Sequence, residues 1–130
     1  MMRLVAERFE RAPNGDYHDS NWITGAVELD LVGYSARQAV AWQAEDLHAF
    51  ARALTTLENE LSGVAELVTL EDQVNLKITL DHGSGLLEGG VREHARAALL
   101  FEGLRTDQSH IRMAAAQMRA IADAFPVRDV

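Results

Sequence analysis

Apolar and polar side chains alternate without interruption in the stretch Val74-Asn75-Leu76-Lys77-Ile78-Thr79-Leu80-Asp81. Because successive side chains of a strand point to opposite faces of a sheet, this period of two predicts a strand with one buried and one solvated face. Sheets with one solvated face are commonly antiparallel. The stretch therefore predicts an antiparallel sheet that is covered on one side.

Other segments extend this predicted sheet. Ile23, Val27 and Leu29 share one parity with polar residues between them, and Gly25 interrupts the apolar series, which suggests a β-bulge at that position. The other predicted strands are residues 4–11, 35–43, 64–70, 86–93 and 97–104. Residues 86–104 are also open to a helical interpretation, because their many Ala and Leu residues favour helices.

Two segments have the three- and four-residue apolar spacing of amphipathic helices. Their apolar stripes are Leu47, Phe50, Ala51, Leu54, Leu57 and Leu61, and then Ile111, Ala115, Met118, Ile121, Ala122 and Phe125. We therefore predict an α+β fold, in which an antiparallel sheet of six or seven strands has two amphipathic helices packed on one face. Residues 1–130 are expected to form a single domain.

The charge balance bears on the class of partner. Twelve Lys and Arg residues face 20 Asp and Glu residues, which gives a formal net charge of −8. Nucleic-acid binding needs a basic surface, so this charge argues against a nucleic-acid partner and favours a basic protein. The alternative is that the net negative charge only aids solubility. The absence of cysteine excludes disulfides and thiolate metal sites. No apolar run reaches the ~20 residues that span a bilayer, so we expect a cytoplasmic protein without membrane contact.

Motifs for catalysis, metal binding and phosphate binding are missing from the sequence. The five histidines lack the short paired spacing of helical metal sites, and no serine-hydrolase motif occurs. The glycine-bearing residues 83–90 lack both the dinucleotide fingerprint and a P-loop lysine. We therefore expect no catalytic residue, no metal and no cofactor. The alternative is a small-ligand-binding or catalytic domain, with a pocket between sheet and helices near His18, His82 or His94.

Candidate partner-binding residues cluster around the strand that contains Ile23. If Ile23 faces the core, Trp22 lies on the opposite face, an arrangement that suits an interface hot spot. The predicted partner-binding residues are Asp16, Asp19, Trp22, Glu28 and Asp30. The alternative for Trp22 is that it enters the edge of the core, because large aromatic side chains are mostly buried.

Three short segments carry a family resemblance: residues 19–23 (Asp-Ser-Asn-Trp-Ile), residues 46–50 (Asp-Leu-His-Ala-Phe) followed by Leu54 and Leu57, and residues 124–127 (Ala-Phe-Pro-Val). In this order, the chain resembles the WapI-like immunity proteins of bacterial contact-dependent toxin systems. The resemblance implies an inhibitor that binds a toxin domain inside the producing cell, and it assigns no binding residues.

Acidity, missing catalytic motifs and the resemblance together predict a non-enzymatic protein-binding module. An immunity protein would neutralise a cognate basic, nuclease-type toxin by stoichiometric binding. A homodimer is a further expectation, because an open sheet edge would provide a route for self-association.

Overall fold

The computed structural model describes residues 1–93 and 97–129. This part of the chain contains seven strands and three helices, namely β1 Met2–Phe9, α1 Tyr17–Ser20, β2 Trp22–Leu31, β3 Tyr34–Gln43, α2 Ala44–Glu60, β4 Gly63–Val68, β5 Val74–Asp81, β6 Ser84–Glu93, β7 Ala97–Asp107 and α3 Gln108–Ala124. The α+β class is confirmed. Residues 84–93 and 97–107 are strands, which excludes the helical interpretation for the described part of that segment.

The prediction of a single sheet is wrong. The strands form two antiparallel sheets, a three-stranded sheet in the order β1-β2-β3 and a four-stranded sheet in the order β4-β5-β6-β7. The physical reason is that β3 continues directly into the 17 residues of α2, so no turn can pair β3 with β4. The free edge of β3 is instead bonded by a side chain, because the Ala41 N–H donates to Oε1 of Gln73 at 3.0 Å.

The prediction of two helices also missed α1. Asp16 caps this four-residue helix by accepting a hydrogen bond from the Asp19 N–H at 2.9 Å, and Asn21 ends it. So short a helix has no apolar stripe, and periodicity therefore could not reveal it. None of the helices in residues 1–93 and 97–129 is long and apolar enough to cross a membrane.

One hydrophobic cluster connects both sheets with α2 and α3. Alternate residues of each central strand point into it, and the apolar stripes predicted for α2 and α3 supply the opposite wall. Its fully or almost fully buried members include Ile23, Val27, Trp42, Ala44, Leu54, Ala65, Leu67, Val74 and Ala115. The two long helices therefore cover the inner faces of the sheets, and the outer face of the four-stranded sheet is left in water.

Gly25 allows an indole ring to cross the centre of the three-stranded sheet. Nε1 of Trp42 on β3 reaches over Gly25 on β2 and donates a hydrogen bond to the carbonyl oxygen of Val5 on β1, at 3.0 Å. A Cβ at Gly25 would lie 1.9 Å from that oxygen and 2.5 Å from Nε1. The β2–β3 register is regular through Gly25, and the bulge lies in β1 between Ala6 and Arg8. The predicted bulge is therefore on the neighbouring strand.

Candidate partner-binding surface

The short helix α1 presents two of the predicted partner-binding residues, Asp16 and Asp19. The capping bond from the Asp19 N–H holds the Asp16 carboxylate, and the Asp16 N–H donates in turn to Oδ1 of Asn14 at 3.0 Å. These local bonds favour an acceptor-rich residue at the cap position. They hold the Asp16 carboxylate at the start of α1, next in sequence to Tyr17, which is 38% exposed.

Tyr17 connects α1 to the first turn of α2. Its hydroxyl donates to Oε2 of Glu45 at 3.0 Å, across 28 residues of sequence. Partial burial raises the pKa of Tyr17, and the hydrogen bond to Glu45 and the charges of Glu45, Asp129 and Asp46 raise it further. The tyrosine hydroxyl therefore lies among several carboxylates. We call the acidic surface the three carboxylates near the Tyr17 hydroxyl, Glu45, Asp46 and Asp129, together with Asp16 and Asp19 of the α1 segment.

Asp46 ties the acidic surface to the loop after β4. Its Oδ2 accepts a hydrogen bond from the Leu70 N–H at 3.0 Å. Burial raises the pKa of Asp46, although the bond from Leu70 lowers it and the neighbouring Glu45 raises it. His18 stands edge-on to the ring of Tyr17 at 5.3 Å, and its Nδ1 lies 3.3 Å from Oε1 of Gln43.

Few cations compensate the acidic surface. Arg11 lies 3.8 Å from Asp19 but also 3.0 Å from Glu10, and Arg52 lies 4.0 Å from Glu45. None of the ion pairs formed by the described residues involves Asp16, Asp46 or Asp129. The surface therefore keeps a net negative charge that is available to an external cation.

A buried asparagine pins the end of the chain beneath the acidic surface. The side chain of Asn21 is fully buried, and its Nδ2 donates to the carbonyl oxygens of Tyr17 at 2.7 Å and Arg128 at 3.0 Å. The Arg128 N–H donates back to Oδ1 of Asn21 at 2.8 Å. This exchange of bonds across 107 residues holds the C-terminal segment against α1.

Further contacts hold the same C-terminal segment. We call the clasp these contacts together with the hydrogen bonds between Asn21 and Arg128. The guanidinium of Arg128 lies 3.5 Å from the centre of the Phe9 ring, and Phe9 meets Phe125 edge to face at 5.6 Å. Nε2 of His48 lies 2.9 Å from the carbonyl oxygen of Phe125. The three segments that carry the family resemblance therefore meet in space, since Asn21, His48 and Phe125 come one from each.

The five predicted partner-binding residues do not form one continuous site. Asp16 and Asp19 belong to the acidic surface, and Trp22 lies half-buried at the start of β2, while Trp42 fills the core. Glu28 is six residues further along the strand, about 20 Å from Trp22. Glu28 lies 3.8 Å from Arg3, and it lines with Asp30 a cavity of about 410 Å³ at that end of the sheet.

The sequence interpretation missed three members of the acidic surface, namely Glu45, Asp46 and Asp129, and it also missed Tyr17. Glu45 and Asp46 carry a local signal, because acids favour the first turn of a helix. Their proximity to Tyr17 depends on a long-range hydrogen bond and on the clasp, and no sequence spacing encodes these contacts.

The residues that the structure describes line two cavities, and neither of them is the predicted pocket between sheet and helices. One is the cavity beside Glu28, and the other, of about 200 Å³, lies between the two sheets and is lined by Val27, Leu29 and Val91 among others. Neither is lined by His18 or His82, and His94 lies outside the described residues. Among residues 1–93 and 97–129, no group of three His, Asp or Glu side chains is placed to hold a metal ion.

Comparison with known protein families identifies a family for this chain. A sequence model described as the Immunity protein WapI-like family matches residues 2–126. No curated protein and no solved structure matches the chain. The matched range includes α1, both sheets, both long helices and four members of the acidic surface, and it stops before Asp129.

Proposed function

Because this chain belongs to the WapI-like immunity protein family, we propose that it neutralises a toxin by binding it as a stoichiometric inhibitor. The family membership predicted from the three short segments is confirmed, and the match over residues 2–126 of 130 is the observation that carries the proposal. An immunity role is non-enzymatic, and inhibition then depends on affinity for the toxin.

The proposed partner is a basic toxin domain of the nuclease type. Nucleases that bind phosphates need a basic surface, and an acidic inhibitor complements that surface in charge. A net charge of −8 would also speed the encounter of the two proteins at low ionic strength. Such an inhibitor acts where its producing cell must be protected, which we take to be the cytoplasm.

The acidic surface is the proposed contact region, and Asp16 and Asp19 are the predicted residues that it includes. Tyr17 offers a rigid aromatic ring with a polar tip, which is typical of interface hot spots. Its hydrogen bond to Glu45 restricts the ring before binding, so less side-chain entropy is lost on association. Trp22 would extend this contact along the three-stranded sheet.

Glu28 and Asp30 have a different proposed role. They lie at the far end of β2, about 20 Å or more from the acidic surface, and Glu28 is already close to Arg3. At that distance exposed charges are largely screened at physiological ionic strength. We therefore propose that these two carboxylates lie outside the contact region and add only to the net charge that attracts a basic partner at low ionic strength.

Co-expression tests the function. The toxin domain encoded beside this chain is induced in a bacterial host with and without the chain, and growth is measured. We expect the chain to restore growth and Tyr17→Ala to restore it less well, because loss of a hot-spot residue weakens binding ~30-fold or more. Tyr34→Ala is the matched control, because Tyr34 is 71% exposed in the β2–β3 hairpin.

The proposal is overturned if the chain leaves the toxin fully active at equimolar expression. If growth is restored but Tyr17→Ala and Tyr34→Ala protect equally well, the immunity function stands and the acidic surface is not the contact region. Tyr17→Phe separates the two contributions of Tyr17, since it removes only the hydroxyl that bonds Glu45.

A further inference from the structure

The outer face of the four-stranded sheet carries uncovered apolar side chains. Of the ten large apolar side chains that are exposed in the described residues, four lie on this face, namely Val64, Val68, Leu86 and Leu100. They are between 51% and 68% exposed, whereas α2 and α3 cover the opposite face. A concentration of exposed apolar groups on one face marks an interaction surface.

The strand register arranges this face in three rows. The first contains Val64, Thr79, Leu86 and Arg105, the middle one Glu66, Lys77 and Glu88, and the third Val68, Asn75, Gly90 and Leu100. Leu100 lies across Gly90, since a Cβ on that glycine would be 2.8 Å from Cδ2 of Leu100. A charged row is therefore flanked by two rows that contain apolar groups.

Over β4, β5 and β6 the middle row alternates in sign. Lys77 lies opposite Glu66 on one neighbouring strand and opposite Glu88 on the other. In residues 1–93 and 97–129, no carboxylate comes within 4.0 Å of the Lys77 ammonium group. The lysine is therefore available to a carboxylate that approaches from above the sheet.

We infer that a second copy of this chain packs on this face, around a two-fold axis that runs parallel to the strands between β5 and β6. Such an axis places β5 of one copy over β6 of the other. Lys77 then meets Glu88 of the second copy, and Glu88 meets its Lys77. The same operation places Val68 over Leu100 of the second copy in both directions, and in the first row it places Val64 over Arg105 and Leu86 over Thr79.

Charge selects this axis over the perpendicular one. A two-fold axis perpendicular to the strands would place Glu88 over Glu88 of the second copy and Lys77 over its Lys77. Like charges in contact cost several kcal/mol, so that arrangement is disfavoured. Sheets stacked face to face cross at about 30°, which leaves the central Lys77–Glu88 contacts closest to the axis.

The size of the face sets the expected strength. Four strands spaced about 4.8 Å apart and about 20 Å long give roughly 400 Å² in projection. Stable interfaces bury ~800 Å² of accessible surface per partner, so we expect a dimer with a Kd in the micromolar range or weaker. This association uses a different surface from toxin binding and does not depend on it.

Sedimentation velocity from about 5 to 500 µM tests the inference, a range that brackets micromolar association. We expect the sedimentation coefficient of the wild type to rise with concentration. Leu100→Arg should weaken association at least tenfold, whereas Met113→Arg should not, although Met113 is similarly exposed at 62% on α3. Thermal unfolding confirms that both variants are folded.

The charge row provides the second arm of the test. Lys77→Glu should weaken association because it faces Glu88 of the second copy, and the double variant Lys77→Glu/Glu88→Lys should restore it. A wild type that stays monomeric throughout the range would overturn the inference. A dimer that is insensitive to Lys77→Glu would also overturn it, since pairing through the β7 edge would leave this row untouched. So would a double variant in which association is not restored.

Discussion

Replacing Asn21 with alanine should release the C-terminal segment from α1. The substitution removes three hydrogen bonds of 2.7, 3.0 and 2.8 Å, and the side chain that makes them is fully buried. Each intramolecular hydrogen bond contributes a net ~0.5–1.5 kcal/mol. We therefore expect the free energy of unfolding to fall by about 3 kcal/mol, a large part of the ~5–15 kcal/mol typical of a domain.

Urea denaturation followed by tryptophan fluorescence measures this loss, because Trp42 lies in the core. Native-state hydrogen exchange locates it, since the Arg128 N–H donates to Asn21. We expect the protection of that amide to fall roughly 100-fold, at ~1.4 kcal/mol per tenfold change. Asn59→Ala on the exposed side of α2 is the control and should change stability by less than ~0.5 kcal/mol.

Asn21→Asp adds a pH-dependent arm. The introduced carboxyl group keeps an acceptor for the Arg128 N–H, but when ionised it faces the carbonyl oxygens of Tyr17 and Arg128 without a donor. Burial without a donor raises the pKa of a carboxyl group in the folded state. Stability should therefore be higher at low pH and fall as the pH rises through the ordinary to the raised pKa. The clasp is refuted if Asn21→Ala stays within ~0.5 kcal/mol of the wild type, or if the Arg128 amide keeps its protection.

Gly25→Ala should cost more than ~3 kcal/mol, because its Cβ overlaps Val5 and displaces the buried indole bond of Trp42; a urea midpoint close to that of the wild type would contradict this. Asp107→Asn should make the free energy of unfolding depend less on pH in the acid range. The capping bonds lower the pKa of Asp107 in the folded protein, so its contribution to stability is present above the ordinary pKa and is lost as the pH falls through the lowered pKa. Asp46→Asn should have the opposite effect on the pH dependence of stability, because burial raises the pKa of Asp46 and the wild type therefore loses stability as the pH rises. Unfolding measured between pH 3 and 7 should show the variant becoming more stable relative to the wild type with increasing pH. Parallel stability profiles of the two proteins would refute this.

Local pattern predicted most of the elements. Alternation identified β2 and β5, and the apolar stripes identified α2 and α3, because burial of one face imposes a period on the sequence. The division into two sheets was not predictable in the same way. It depends on which strand edges pair, and β3 is separated from β4 by a whole helix and bonded at its edge by Gln73.

The candidate site was predictable only in part. Asp16 and Asp19 were found because they stand in an acidic, turn-forming segment. Tyr17 was missed because its importance comes from Glu45, 28 residues away, and Asp129 was missed because the clasp that holds the chain end there spans 107 residues. Contacts over such separations leave no periodic trace in a single sequence.

The most direct test of the proposed function is a calorimetric titration of this chain with the toxin domain encoded beside it, at two salt concentrations. We expect a 1:1 complex whose Kd rises with salt, as for a charge-complementary interface. Glu45→Gln should weaken it about fivefold or more, while Glu60→Gln, at the other end of α2 and about 22 Å away, should not. Absence of binding would contradict the immunity function, and a Kd that is unaffected by salt and equal for the two variants would contradict the acidic surface as its contact region.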